Sequence, residues 1–505
     1  MTRRILLYGD VNLNYRDGSG AWLEALAECL LRTGSEVHVL LKADVVESDR
    51  RAALDELENL VVHTPFDDQV SGLAGMKPRA AASRIAVLDR RHRYDIVLSR
   101  GFDIAAQLAI SGRFTGRMWP YLTEGAAFAF APTEHQRGLL DTIAEQSRRI
   151  FVQTEEARSI VESLNGGMTG KTLVMNPIVP DAAFRSKNTE PEPGAPLEMV
   201  YAGKFARLWN TLQMTRLPSR LAAEGVETVL SMVGDKFQGT GPDAAWLEEM
   251  KSAAATDDPR VRWHGGLPRA RVLDIVHGAD LGLCWRDAEL DASPEISTKM
   301  LECSALGTPP LLNRTTMHEQ LLGADYPLFI DDGDALATVR RIAENPQLVT
   351  QARSRAQAAV QPYSMEATVD RFRGYFARAE ADPATAGALR VQERRQRVVV
   401  AGHDFKFASD LIETLQQRED IELRIDKWHR LAAHDKDASL AAANWADTVI
   451  CEWSGPNAVF YARHLPASTR LIVRFHGFEV RGKWIKDLDP HRVDAFVFIS
   501  DFYRR

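Results

Sequence analysis

The chain has 505 residues, a formal net charge of −7, 45% apolar and 26% charged side chains. That balance describes a globular protein of about three domains and excludes the basic surface that non-specific nucleic-acid binding requires. The apolar run at the amino terminus is too short for a signal peptide, and no run approaches the roughly 18 residues of a membrane span. The expectation is a soluble, cytoplasmic protein, at most peripheral on the inner face of a membrane.

Ile5–Tyr8 reads as a buried strand, followed by a loop ending in Gly18-Ser19-Gly20 and a helix with Trp22, Leu23, Leu26, Leu30 and Leu31 on one face. Val37–Leu41, Ile96–Ser99, Met118–Leu122 and Ile150–Gln153 supply further strands, so residues 1–185 alternate strand and helix around a parallel sheet. Between them Arg79, Arg84, Arg90, Arg91, His92 and Arg93 form a basic stretch that is either a solvated helix face or a contact for anionic lipid. Asn176-Pro177 and Pro180 break the pattern, and residues 185–196 are polar and proline-rich, as in a linker.

A second alternation occupies residues 197–362. Its strands are Glu198–Gly203, Val229–Val233, Val261–His264, Leu281–Cys284, Pro310–Leu312 and Leu328–Ile330. Within it, Ser293 to Pro310 is the most telling stretch. Ser297 or Thr298 opens a short helix and Gly307 closes it. This is either an ordinary capped helix or an anion seat, in which free N–H groups and Lys299 hold a diphosphate. Glu302, three residues after Lys299, shares its face and is placed to accept bonds from a ribose diol.

Residues 363–380 form a further helix, residues 381–396 a second linker, and residues 397–505 a third strand–helix pattern that repeats the first. Asp95-Ile-Val-Leu-Ser matches Asp447-Thr-Val-Ile-Cys, and Thr123-Glu124-Gly125 matches Phe475-His476-Gly477 at the same offset. The third pattern stops just after a strand, which reads as a fragment of a longer tandem protein or as a reduced last unit. No Cys/His cluster has zinc spacing, and Cys29, Cys284, Cys303 and Cys451 read as reduced thiols. Asp435-x-Asp437 and Asp487-x-Asp489 read as solvated surface.

In order and spacing, Val174–Phe184, Val200-Tyr-Ala-Gly-Lys204, Val233-Gly234-Asp235, Val261–Gly265, Ala279–Leu283, Ser297–Pro309 and Tyr363–Glu366 resemble glycosyltransferase family 4, over residues 1 to about 380. The resemblance implies an α/β fold of two Rossmann-like doubly wound domains (the GT-B architecture), followed here by a third, partial one. It implies a retaining transfer of sugar from a nucleotide-diphosphate donor to a glycan or lipid-linked acceptor, as in bacterial surface polysaccharide synthesis, with no metal and no cofactor. Lys299 and the amides at Ser297 and Thr298 would take the diphosphate and Glu302 the ribose. Lys204, helped by Arg207, would stabilise the leaving group. Gly18, Ser19 and Gly20 would approach the donor, and the backbone at Gly234, Gly265 and Leu267 would hold the base.

The chain departs from the family at three points. Trp209 and Asn210 stand where a second basic residue is usual. Glu295 and Glu302 are one residue closer than the family's acidic pair, so Glu295 either touches the sugar or faces solvent. Glu124 stands where the family places a histidine, which the third unit keeps as His476. Either Glu124 polarises the acceptor hydroxyl or holds the sugar, or it is structural and caps the following turn, or the first unit is impaired and the catalytic unit is the third. Two other classes fit the same cleft: a non-catalytic sugar-nucleotide-binding or scaffold module, and a GT-B-like sugar-nucleotide epimerase.

Overall fold

The computed structural model describes residues 2–15, 18–46, 51–65, 75–123, 132–187, 194–239, 243–331, 333–381, 396–418, 421–466, 469–477, 479 and 482–499. Glu124 and nearly all of the second linker lie outside them.

The first sheet contains β1 (Arg4–Tyr8), β2 (Glu36–Leu40), β3 (Leu60–His63), β4 (Ile96–Arg100), β5 (Met118–Tyr121), β6 (Ile150–Val152) and β7 (Thr172–Val174). They lie in the order β3-β2-β1-β4-β5-β6-β7, every pair parallel. Ile5, Leu6, Leu7 and Tyr8 are all buried, as a central parallel strand covered on both faces requires. The edge strands β3 and β7 add to the strands read from the sequence; both are short and only partly buried, so their apolar signal is weak.

The second sheet contains β8 (Leu197–Ala202), β10 (Thr228–Val233), β12 (Val261–Trp263), β13 (Leu281–Leu283), β14 (Pro310–Asn313) and β15 (Phe329–Ile330). A two-stranded ribbon of β9 (Phe205–Ala206) and β11 (Phe237–Gln238) sits beside it. The order β12-β10-β8-β13-β14-β15 is the doubly wound dinucleotide-type arrangement, with its switch point between β8 and β13.

The third sheet contains β16 (Gln396–Gly402), β17 (Ile421–Lys427), β18 (Thr448–Glu452), β19 (Arg470–Phe475) and β20 (Ala495–Phe498), ordered β17-β16-β18-β19-β20. This is the first sheet's pattern with a single strand outside the central one on that side. All three sheets share one local device. An aspartate just before the strand across the switch point accepts from a backbone N–H in the first two residues of the central strand. The pairs are Asp95 with Arg4 (2.8 Å), Asp280 with Glu198 (3.1 Å) and Asp447 with Arg397 (2.9 Å). The carboxylate satisfies a donor that the sheet leaves open at its starting edge, and it is why the Asp95 and Asp447 segments repeat in sequence.

Four helices bear on the candidate sites: α1 (Gly18–Arg32), α2 (Pro78–His92), α3 (Thr298–Ala305) and α4 (Met365–Ala381). α4 returns to the first sheet, where Phe372 packs on Phe151 (5.4 Å between ring centroids) and Phe376 on Trp119 (5.6 Å). The Tyr375 hydroxyl donates to the Val174 carbonyl (2.7 Å).

α2 carries most of the basic stretch, and part of it is engaged by neighbouring elements while Arg79, Arg91 and Arg93 are exposed. Arg90 is ion-paired with Asp494 of the third unit. Burial, and then repulsion from Arg93 and Arg79, lowers the pKa of Arg470 and of Arg492 in that unit. The carboxylate of Asp89 takes Arg117 (2.8 Å) and Arg113 (3.5 Å). The helix thus packs part of its charge against neighbouring elements. Among the described residues no helix is long and apolar enough to cross a membrane.

Candidate active site

The strand ends of the second sheet build one side of a cleft. β8, β10 and β12 are followed by Gly203, Gly234 and Gly265, with φ of +149°, +145° and +65°. The Gly203 N–H donates to the Val233 carbonyl (2.9 Å) and the Gly234 N–H to the Gly265 carbonyl (2.8 Å). A Cβ on Gly234 would lie 2.2 Å from the Gly203 oxygen, so only glycine permits this stacking of turns. The Trp263 indole N–H closes it by donating to the Gly234 carbonyl (2.9 Å). Leu267, half-buried, follows directly.

The buried Tyr201, two residues before Gly203, is the pivot. Its hydroxyl donates to the Lys204 carbonyl and accepts from the Lys299 ammonium (3.0 Å). Lys299 also lies 4.5 Å from the Tyr201 ring and 5.5 Å from that of Trp209. Lys204 lies 4.8 Å from the Trp209 ring and the Arg286 guanidinium 5.9 Å. Trp209 thus stands among three cations, each drawn to its π-face. Where the resemblance leads to the expectation of a second basic side chain the chain offers an aromatic one, and Arg286, three residues past β13, brings a cation from elsewhere.

Burial pulls the Lys299 ammonium down to about 8, with repulsion from Lys204 and Arg286 adding to the effect and the Cys284 and Cys303 thiols opposing it. Those two thiols are free and buried near Lys299, hydrogen-bonded to each other.

α3 begins at Thr298 after Ser297, whose side chain forms no cap hydrogen bond. Across the cleft stands the first turn of α1. Gly18, Ser19 and Gly20, expected as a loop, are the opening residues of this helix. A Cβ on Gly18 would lie 3.8 Å from the Thr298 Oγ1, so helix amino termini from two units face each other. Each end carries the partial positive charge of a helix amino terminus.

Cross-cleft hydrogen bonds fix this approach. The Thr154 hydroxyl donates to the Pro294 carbonyl (2.8 Å), and the Gln153 side-chain oxygen accepts from the Ile296 N–H (2.8 Å). Asn176 holds Gln153 in turn through its backbone carbonyl (2.9 Å). Glu295 lies between the two anchored residues and close enough to Arg286 to stabilise its charge.

Glu302, one turn into α3, is bonded to Arg269. Arg269 is also stabilised by Glu24 on α1, and burial raises the Glu24 carboxyl against that attraction. Glu302 is therefore already committed to a guanidinium that bridges the two units.

Of the residues singled out in the sequence, the structure brings together Gly18, Lys204, Thr298 and Lys299 with the Gly234–Gly265 turns. Arg207 is not in that set, being turned to Asp243 (3.2 Å) and Glu289 (3.9 Å). Glu124 lies outside the described residues. Asp435 and Asp489 cap short helices. Sequence reasoning missed Tyr201, Arg286, Arg269, Gln153 and Thr154. Arg286 and Gln153 each follow a strand, and that position is the signal that finds them.

His476 lies in the third unit, at the end of β19. Its Nε2 is 2.7 Å from an oxygen of the fully buried Glu452, which also pairs with Arg474 (3.1 Å). Trp453 and Phe407 flank the imidazole at 4.0 and 5.3 Å between ring centroids. His476, Arg474, Trp453 and Phe407, with Lys406 and Ile499, line an open cavity of about 470 Å³.

The first sheet gathers three histidines that no zinc-type spacing in the sequence announces. His38, His63 and His92 converge there, with a nitrogen of each within 4.8 Å of the others. Parallel pairing of β2 and β3, and the end of α2 above them, join residues whose sequence spacing gives no sign of it.

No protein-family model and no curated protein matches the sequence. Solved structures do share its fold. Sucrose-phosphate synthase from Thermosynechococcus elongatus superposes with a TM-score of 0.56 at 14% identity, over 75% of this chain and 99% of that one. HepE from Anabaena, in complex with UDP-glucose, gives 0.57 at 14%, over 74% and 99%. The catalytic domain of starch synthase IV from Arabidopsis thaliana, bound to ADP and acarbose, gives 0.53 at 10%, over 75% and 100%. The chain therefore has the two-lobed α/β architecture of these GT-B proteins, with a third unit besides.

Proposed function

We propose that the two leading units form a retaining glycosyltransferase of the family 4 type, taking a sugar from a nucleotide-diphosphate donor to a glycan or lipid-linked acceptor. The observation that carries this reading is the meeting of two helix amino termini, at Gly18 and Thr298, beside Lys204, Lys299 and Arg286. Nothing in that set suits a cation, and all of it suits a diphosphate. The complexes of HepE with UDP-glucose and of starch synthase IV with ADP support a nucleotide in the cleft of this fold.

On this reading the bond from the anomeric carbon to the diphosphate oxygen breaks with its electron pair passing to the diphosphate. The helix ends, Lys299 and Lys204 neutralise the charge that develops, and the site does this without a metal. Glu302 accepts from the ribose hydroxyls once Arg269 shares or releases it. The base lies along Gly234, Gly265 and Leu267, and Glu295 holds the sugar. The acceptor hydroxyl replaces the leaving oxygen on the same face of the sugar, its proton passing to Glu124. The acceptor would be a growing surface polysaccharide.

A panel of nucleotide sugars, with mass gain read on candidate glycans and nucleotide release read in parallel, tests the proposal. Transfer by the wild type, lost in Lys299→Ala with the fold retained, supports it. Nucleotide-dependent stabilisation without transfer or donor hydrolysis marks a binding module instead. Interconversion of free nucleotide sugars marks an epimerase.

A further inference from the structure

We propose that His38, His63 and His92 form a binding site for a divalent late transition metal, of which zinc is the type, within the first unit and apart from the cleft. His38 lies in the middle of β2 and is buried, His63 ends β3, and His92 ends α2. Their rings stand 4.7 to 5.2 Å apart between centroids. The site lies on the sheet face beneath α2, not at the strand ends that carry the candidate active site.

The details match a metal's needs. The His38 Nδ1 is 2.8 Å from the His63 Nε2, while the other His38 nitrogen is 3.1 Å from a Glu36 oxygen. A ligating imidazole commonly donates its second N–H to a carboxylate, which fixes the ring and raises its basicity. The Tyr94 hydroxyl is 2.9 Å from His38 Nδ1 and 3.4 Å from His63 Nε2, the position of a fourth donor in an N3O set. Metal–nitrogen bonds of about 2.0–2.1 Å in a tetrahedron separate nitrogens by roughly 3.3 Å. Two rings therefore part by about half an ångström as the metal replaces their mutual hydrogen bond.

The donor atoms, three imidazole nitrogens, select the metal. Arg4, Arg84 and Arg91 lie close enough to repel charge on these rings, and Glu36 opposes them only in part. Magnesium and calcium, which need oxygen ligands and a negative field, are disfavoured. An ion held by short bonds to neutral imidazole is favoured. Its effect is to clamp β2 and β3 to the end of α2, the helix whose Arg90 meets Asp494 of the third unit.

The test uses the full chain, stripped with a chelator, dialysed and reloaded with zinc or cobalt(II). Elemental analysis is expected to give one zinc per chain, and the cobalt form the intense visible bands of a tetrahedral ion. Weak octahedral cobalt bands, or no retained zinc, overturn the proposal without recourse to any variant. His92→Gln, at the least buried ligand, is expected to lose the metal with its circular dichroism unchanged, and full retention there also overturns it. Glu36→Gln, which removes only a supporting bond, is expected to weaken zinc by about 10–100-fold.

Discussion

The Tyr201 hydroxyl joins the two lysines of the cleft, accepting from the Lys299 ammonium at 3.0 Å and donating to the Lys204 carbonyl. Removing it in Tyr201→Phe leaves a carbonyl and an ammonium short of a partner each. A hydrogen bond to a charged group contributes about 1.5–3 kcal/mol. Nucleotide affinity by calorimetry is expected to fall by about tenfold or more, with the fold intact by circular dichroism.

Lys299 gives a pH signature of two opposite signs. Its folded pKa is about 8 against an ordinary 10.5. An anionic donor binds the protonated form, so its affinity is expected to drop by about tenfold per unit as pH rises above 8. Stability of the ligand-free protein runs the other way. Between pH 8 and 10.5 the unfolded chain binds more protons at this site than the folded one, so the site's contribution to stability rises with pH there. Lys299→Gln should flatten both curves, by calorimetry and by denaturant titration. Unaltered curves in that variant would falsify the assignment.

Gly234 and Gly265 both have positive φ, but they are not equivalent. A Cβ on Gly234 meets the Gly203 oxygen, whereas one on Gly265 meets open space. Gly234→Ala is expected to cost about 3 kcal/mol or more, combining strain with overpacking, and Gly265→Ala about 1 kcal/mol. Equal costs in chemical denaturation would mean that the turns do not stack as described.

In the third unit, Glu452 is fully buried between Arg474 and His476. Glu452→Ala leaves the guanidinium without its carboxylate, and breaking such a buried pair costs about 3–5 kcal/mol. Calorimetric scanning should show a transition of the third unit moving down while nucleotide binding by the leading units is unchanged.

The central strands are legible because their apolar runs are continuous, as at Ile5–Tyr8 and Val398–Val400. β17 is not, since Ile421–Lys427 alternates apolar and charged residues along a sheet edge. Gly18-Ser19-Gly20 suggests a turn, but helix propensity is a weak constraint at a helix end that faces a cleft. The strand-end glycines, Lys204 and Lys299 can be read from position alone. The Arg269–Glu302 bond and the meeting of His38, His63 and His92 cannot, because they join residues through the fold and no local pattern records them.

The crossover helix has a consequence for how this chain is made. Its Phe372 and Phe376 complete the core around Phe151 and Trp119 of the first sheet, and 221 and 257 residues separate the paired rings. At ribosomal speeds of about 5–20 residues per second, the amino-terminal lobe waits roughly 10–50 s with an apolar face uncovered. The second lobe emerges whole during that wait. The first to be synthesised is thus the last of the pair to close.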